Sequence, residues 1–166
     1  DPCPTCRGSG VERRPREVRA RIPAGVSDGQ TIRLTGRGAP GRNGGPAGDL
    51  LVEIAVMPHP RFARSGHNLT VTVPVTFAEA VLGGDIDVPT LDGSTVTLRL
   101  RPGTPSGSRH RVKGKGIATS SKRHGSTVGD LIVTVEVEVP TELTDEQRAA
   151  VEQFAAATTV NPRTVR

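Results

Sequence analysis

The stretch VRARIPAGVSDGQTIRLTGRG from Val18 aligns without a gap on VTLRLRPGTPSGSRHRVKGKG from Val96. Gly25, Gly29, Gly36 and Gly38 fall on Gly103, Gly107, Gly114 and Gly116, a constant offset of 78. Each copy then passes through a Gly-rich or polar loop into Gly-Asp-Leu and an alternating run: LLVEIAV after Gly48-Asp49, and LIVTVEVEV after Gly129-Asp130, now offset by 81. Whatever one copy folds into, the other must fold into as well. The chain is therefore read as two tandem copies of one module, differing by a three-residue loop insertion.

The alternation says what the module is. Val18, Ala20 and Ile22 oppose Arg19 and Arg21, and Leu50, Val52, Ile54 and Val56 oppose Glu53. In the second copy Val96, Leu98 and Leu100 oppose Thr97 and Arg99, while Leu131, Val133, Val135, Val137 and Val139 oppose Thr134, Glu136 and Glu138. Period two with one polar face predicts half-buried antiparallel sheets. With 20 Gly, 14 Pro and three Phe, the composition favours short strands joined by turns over a helical bundle. The second copy also has a front half. NLTVTVPV reads as a strand, Thr76 and Glu79 as a capping box opening a short helix that stops at Gly83-Gly84, and Asp92-Gly93 as the hairpin turn between DIDVPTL and STVTLRL. By the offset, the first copy's equivalent helix falls before residue 1, and Asp92-Gly93 maps onto Arg14-Pro15. The chain starts at Asp1 without a Met, so a fragment of something longer is expected.

Cys3 and Cys6, with Gly8 and Gly10 behind them, are the only cysteines. C-x-x-C is half of a zinc site, which needs about four ligands, or a redox dithiol, although the βαβ context of the latter is missing. The segment sits where the first module's hairpin turn belongs, so it reads as the tail of an insertion. Too few cysteines for a disulfide framework point to a reducing compartment. His59, His67, His110 and His124 are read as surface residues. The G-x-G-x-x-G at Gly36, Gly38 and Gly41 runs into RNGGPAGDL, which opens no helix, so it is a loop rather than a dinucleotide site. A net charge of +5 raises nucleic acid as a partner, but Phe62, Phe77 and Phe154 stand apart from the basic clusters, so no stacking platform accompanies the charge. No apolar run reaches the roughly 18 residues of a membrane span. Thr144 and Gln147 form a second capping box, opening a helix with Ala150, Val151, Phe154 and Ala155 on one face.

C-x-x-C-x-G-x-G at Cys3 to Gly10, IPAGVSDGQTIRLTGRG, AGDLLVEIAVMPHPRFARSGHNL and the long VPVTFAEAVLGGDIDVPTLDG together resemble the C-terminal region of DnaJ-type J-domain co-chaperones, over essentially the whole chain. The resemblance implies a mainly β fold of two tandem β-sandwich-like modules with one short internal helix and a C-terminal helix. Residues 1–10 would be a remnant of the cysteine-rich insertion, 11–66 a truncated first module, 67–142 the second module, 143–157 the helix and 158–166 a flexible tail. In that family four cysteine repeats make two zinc sites, and this one is similar to the fourth. Cys3 and Cys6 would then be half of a site, with no cofactor expected in this fragment and zinc in the full-length parent. The implied function is non-enzymatic: binding of unfolded polypeptide clients in a groove of the first module, with Val18 and Phe62 at the matching pocket positions. Pro58 and Pro60 mark an irregular linker in which Phe62 has no strand-alternation reason to sit, so its alternative reading is a plug packed between the two modules; the alternative for Val18 is simple core. The implied partner is a DnaK-type ATPase chaperone, engaged through an absent J-domain, in a cytoplasmic setting and with neither membrane nor nucleic acid. Val151 and Phe154 would form a homodimer contact, the alternative being packing onto the second module. Kept beside this are a basic nucleic-acid-binding module, which would lose affinity steeply with salt, and a thiol-disulfide oxidoreductase using Cys3 and Cys6.

Overall fold

The computed structural model describes residues 15–41, 44–121 and 125–164. Ten strands and two helices lie in them: β1 Thr31–Leu34, β2 Leu50–Glu53, β3 Phe62–Ser65, β4 Asn68–Thr76, α1 Phe77–Leu82, β5 Gly84–Pro89, β6 Thr95–Leu100, β7 Arg109–Val112, β8 Ala118–Ser121, β9 Gly125–Val128, β10 Leu131–Glu138 and α2 Asp145–Ala157. The fold is mainly β, as expected. β3-β4-β10-β7 form a four-stranded sheet, and β1-β2, β5-β6 and β8-β9 are two-stranded ribbons.

The internal repeat holds bond by bond. Thr31 opposes Glu53 as Arg109 opposes Thr134, and Leu34 opposes Leu50 as Val112 opposes Leu131. Gly29 N–H donates to Ile54 O at 2.8 Å where Gly107 N–H donates to Val135 O at 2.7 Å. Only the second copy has a full core. Leu69, Val71, Val73 and Val75 of β4 and Leu131, Val133 and Val135 of β10 present one face of the large sheet, closed by Ala80 of α1 and by Ile86, Val88 and Leu100 of the β5-β6 ribbon. Among the described residues none before Phe62 is buried.

The short elements follow their local chemistry. Thr76 caps α1 by accepting the Glu79 N–H at 3.2 Å while the Glu79 carboxylate accepts the Thr76 N–H at 2.8 Å. The Thr76 N–H, and then the Thr76 hydroxyl donating to the same carboxylate at 2.9 Å, hold the Glu79 carboxyl below its ordinary value. The α1 carbonyls of Ala80 and Val81 receive the N–H groups of Thr104 and Gly103. Thr144 and Gln147 repeat the box at the start of α2.

Four expectations need correction. The large sheet is not purely antiparallel, since β10 runs parallel to β4 from Leu131↔Leu69 to Glu138↔Thr76. That geometry requires a long crossover, which β5 to β9 supply. Residues 15–23, predicted to include a strand at Val18 to Ile22, have no strand partner among the described residues. Their counterpart β6 is held by β5, and the first copy's equivalent of β5 falls on the cysteine segment, outside the described residues. The supposed irregular linker around Phe62 ends in strand β3, whose two-residue turn at Gly66-His67 pairs Phe62 with Val71 and Ser65 with Asn68. β3 therefore forms one edge of the four-stranded sheet. His110 is half-buried rather than on the surface, because its pairing with Val133 turns it to the core side.

Candidate functional site

Asp49 ties the turn after β1 to the start of β2. It precedes β2 and reaches across to β1 and the turn after it: Oδ1 accepts the Gly36 N–H at 2.9 Å, and Oδ2 accepts Arg33 Nε at 2.5 Å. The Gly36 N–H and then the Arg33 guanidinium hold its carboxyl below the usual aspartate value. Gly38 N–H donates to Gly48 O at 2.8 Å and Gly48 N–H returns to Ala39 O at 2.9 Å. A side chain at Gly38 would stand 2.5 Å from the Asp49 carbonyl oxygen, so only glycine lets this loop approach the start of β2 so closely. The loop from Arg37 to Pro40 is thereby fixed against the start of β2.

That loop and Leu50 form one wall of an open cleft of about 710 Å3, and Pro15, Arg16 and Val18 form the other. Val18 and Leu50 are half-buried, and Arg16 and Arg37 are exposed. The apolar surface thus comes from Val18, Ala39, Pro40 and Leu50, with guanidinium groups beside it. Among the described residues β1 and β2 pair only with each other, so within them the outward backbone donors and acceptors of the ribbon have no strand partner. Such an arrangement can hold an extended chain by main-chain hydrogen bonds and take an apolar side chain into the cleft.

The second copy repeats the construction. Asp130 accepts Gly114 N–H at 2.9 Å and faces Arg111 at 3.7 Å, as Asp49 does Gly36 and Arg33. A smaller cleft of about 450 Å3 lies between the Thr90–Asp92 turn and the Gly114–Ala118 loop, with Gly25 of the first copy in its wall. Thr90 is buried, and its hydroxyl is bonded to Asp92 and Ser94. Lys115 Nζ stands 3.8 Å from Asp92.

The predicted site residues separate in space. Val18 lines the first cleft; Phe62 does not, being 8% exposed within the second copy's core, with its ring 5.2 Å from that of His59. His59 Nδ1 accepts the N–H groups of Arg61 and Phe62 at 3.1 and 3.3 Å. Phe154 meets Phe77 of α1 edge-on at 5.4 Å between ring centroids, yet remains 52% exposed, and Val151 is 55% exposed. No residue of α2 is buried. Cys3 and Cys6 lie outside the described residues, among which no group of three or more His, Cys, Asp or Glu could hold a metal ion. No helix among them is long and apolar enough to cross a membrane. Asp49 and Asp130 went unassigned in the sequence, although their shared place in Gly-Asp-Leu marked them as part of the repeat.

A profile of the DnaJ C terminal domain matches residues 7–140. The chain belongs to the DnaJ C-terminal domain family. Among similar proteins, Chaperone protein DnaJ 1 of Streptomyces avermitilis is 56% identical over 158 residues, covering 95% of this chain and 39% of that protein. Chaperone protein DnaJ 2 of Cutibacterium acnes is 55% identical, covering 93% and 43%. Chaperone protein DnaJ of Caldicellulosiruptor bescii is 48% identical, covering 93% and 39%. The chain thus spans about two-fifths of the length of these DnaJ relatives.

Proposed function

We propose that this chain is the client-binding part of a DnaJ-type co-chaperone, holding extended apolar segments of non-native polypeptide without catalysing a reaction. The observation that carries the reading is the open, partly apolar cleft of Val18, Ala39, Pro40 and Leu50 beside the β1-β2 ribbon, whose outer edges have no strand partner among the described residues. Backbone pairing accepts many sequences, and the cleft selects those that offer an apolar side chain. Phe62 contributes from the second copy's core by holding β3 in place. Delivery of the client to a DnaK-type ATPase chaperone, in the cytoplasm, falls to parts of the parent outside this chain. Cys3 and Cys6 are two ligands of a tetrahedral zinc site whose other ligands come from outside this chain. The half-exposed Val151 and Phe154 form a contact with a second copy.

Light scattering of a chemically unfolded reporter, diluted with and without the protein, tests the reading. The wild-type chain should suppress aggregation, and Val18→Asp should weaken the effect about tenfold in concentration, ~1.4 kcal/mol, with little dependence on salt. Equal suppression by wild type and Val18→Asp, or none by wild type, would defeat it.

A further inference from the structure

The seam between the two copies is built from groups that client binding by the cleft does not itself use. β3 begins the second copy's sheet, and its Arg64 turns back toward the first. Nη1 donates to the Val26 carbonyl at 2.6 Å, Nη2 to the Gly25 carbonyl at 3.0 Å, and Nε to the Gly66 carbonyl at 2.9 Å. One planar fork is thus shared between the loop ahead of β1 and the turn after β3, a bridging geometry that an ammonium cannot reproduce. From the other side, Gly25 lies against β8. Its φ is +78°, and a Cβ there would stand 2.5 Å from Thr119 Cγ2 and 2.7 Å from the Ala118 carbonyl oxygen.

The repeat supplies an internal control. Gly103, the equivalent of Gly25, has φ +76°, but a Cβ added to it would meet nothing within 4 Å. Positive φ therefore belongs to the module, whereas the crowding at Gly25 belongs to the junction alone. Segment 15–22 leads directly into this loop and has no strand partner among the described residues. What fixes its C-terminal end is the loop of residues 23–27, gripped between Arg64 and β8.

We propose that Arg64 is a positioning residue: with Gly25 it clasps loop 23–27 between β3 and β8, and so holds segment 15–22, with Val18 and one wall of the first cleft, in register with the second copy. The inference rests on the client reading above. The clasp lowers the ordering cost of binding by keeping the cleft assembled before a client arrives.

The test uses the full chain with Cys3 and Cys6 changed to Ser and spin labels on Arg19→Cys and Glu136→Cys. The label-to-label distance distribution is measured alongside affinity for a fluorescent unfolded reporter. Arg64→Ala should broaden the distribution and weaken reporter binding about fivefold, ~1 kcal/mol, while Arg64→Lys recovers only part of both. Gly25→Ala, which leaves the second copy's core untouched, should reproduce the Arg64→Ala effects and serves if the arginine variant folds poorly. A distribution as narrow as wild type in both variants, or a broadened one with unchanged affinity, overturns the proposal. If the wild-type chain binds no reporter, the client reading falls; the distances then still decide the clasp, broadening upholding it as a joint and constancy overturning it.

Discussion

Phe62 shows how one residue can be misread from its neighbours. Pro58 and Pro60 precede it and FARS offers no apolar alternation, so nothing local gives the ring a strand reason to sit there. The reason lies at a distance: pairing with Val71 puts it on the core face of the large sheet, and His59 accepts its N–H. Removing a ring that is 8% exposed leaves a cavity beside Val71 in the core of the large sheet. Phe62→Ala is expected to destabilise the second copy by about 3 kcal/mol, read as a lowered midpoint in thermal or urea unfolding followed by circular dichroism. A shift below about 1 kcal/mol would place the ring outside the core.

At the scale of elements, turns and caps were legible because their chemistry is local. The hairpin at Asp92-Gly93, both capping boxes and the stop at Gly83 stand where predicted. The β5-β6 turn also carries a pH dependence. Asp92 accepts hydrogen bonds from the Ser94 hydroxyl and then from Thr90, with the Ser94 N–H adding a third, and its carboxyl is held far below the usual aspartate range. The folded state therefore resists protonation while the unfolded chain takes up a proton near the ordinary value of about 4. Stability from this group is complete above that value and is lost as pH falls toward the folded-state one. Asp49 and Glu79 act in the same direction. Urea midpoints at about pH 6 and about pH 3 should fall less between the two conditions in Asp92→Asn than in wild type. Identical losses would remove Asp92 from the acid response. α2 is the contrary case: its cap and apolar stripe were readable, but which surface the stripe meets was not, and the structure brings Phe154 to Phe77 without burying any α2 residue.

The molecule as a whole is asymmetric despite its repeat. β1 and β2 reproduce β7 and part of β10 in register, yet their inward residues Ile32, Leu34, Leu50 and Val52 are only half-buried, whereas Leu131 and Val133 are fully buried. Leu51, 64% exposed, and Met57, 88% exposed, lie on the same half. With less apolar area withdrawn from water, the first half has less to oppose local opening. Amide hydrogen exchange should therefore release residues 31–34 and 50–53 well before 69–75 and 131–137. Equal protection in the two copies would contradict this ordering.

Alternation, turn chemistry and the repeat settled the class of fold and five of the ten described strands, β2, β4, β5, β6 and β10, because each is a short-range pattern that any partner surface can satisfy; the family came from the resemblance of longer motifs. The parallel pairing of β10 with β4, the place of Phe62, the lack of a strand partner for Val18 among the described residues and the grip of Arg64 on Gly25 and Val26 were decided only by tertiary structure. Each depends on which distant segment is at hand to share a backbone hydrogen bond or cover an apolar face. The near-identical glycines Gly25 and Gly103 carry the same local signal and meet entirely different surroundings.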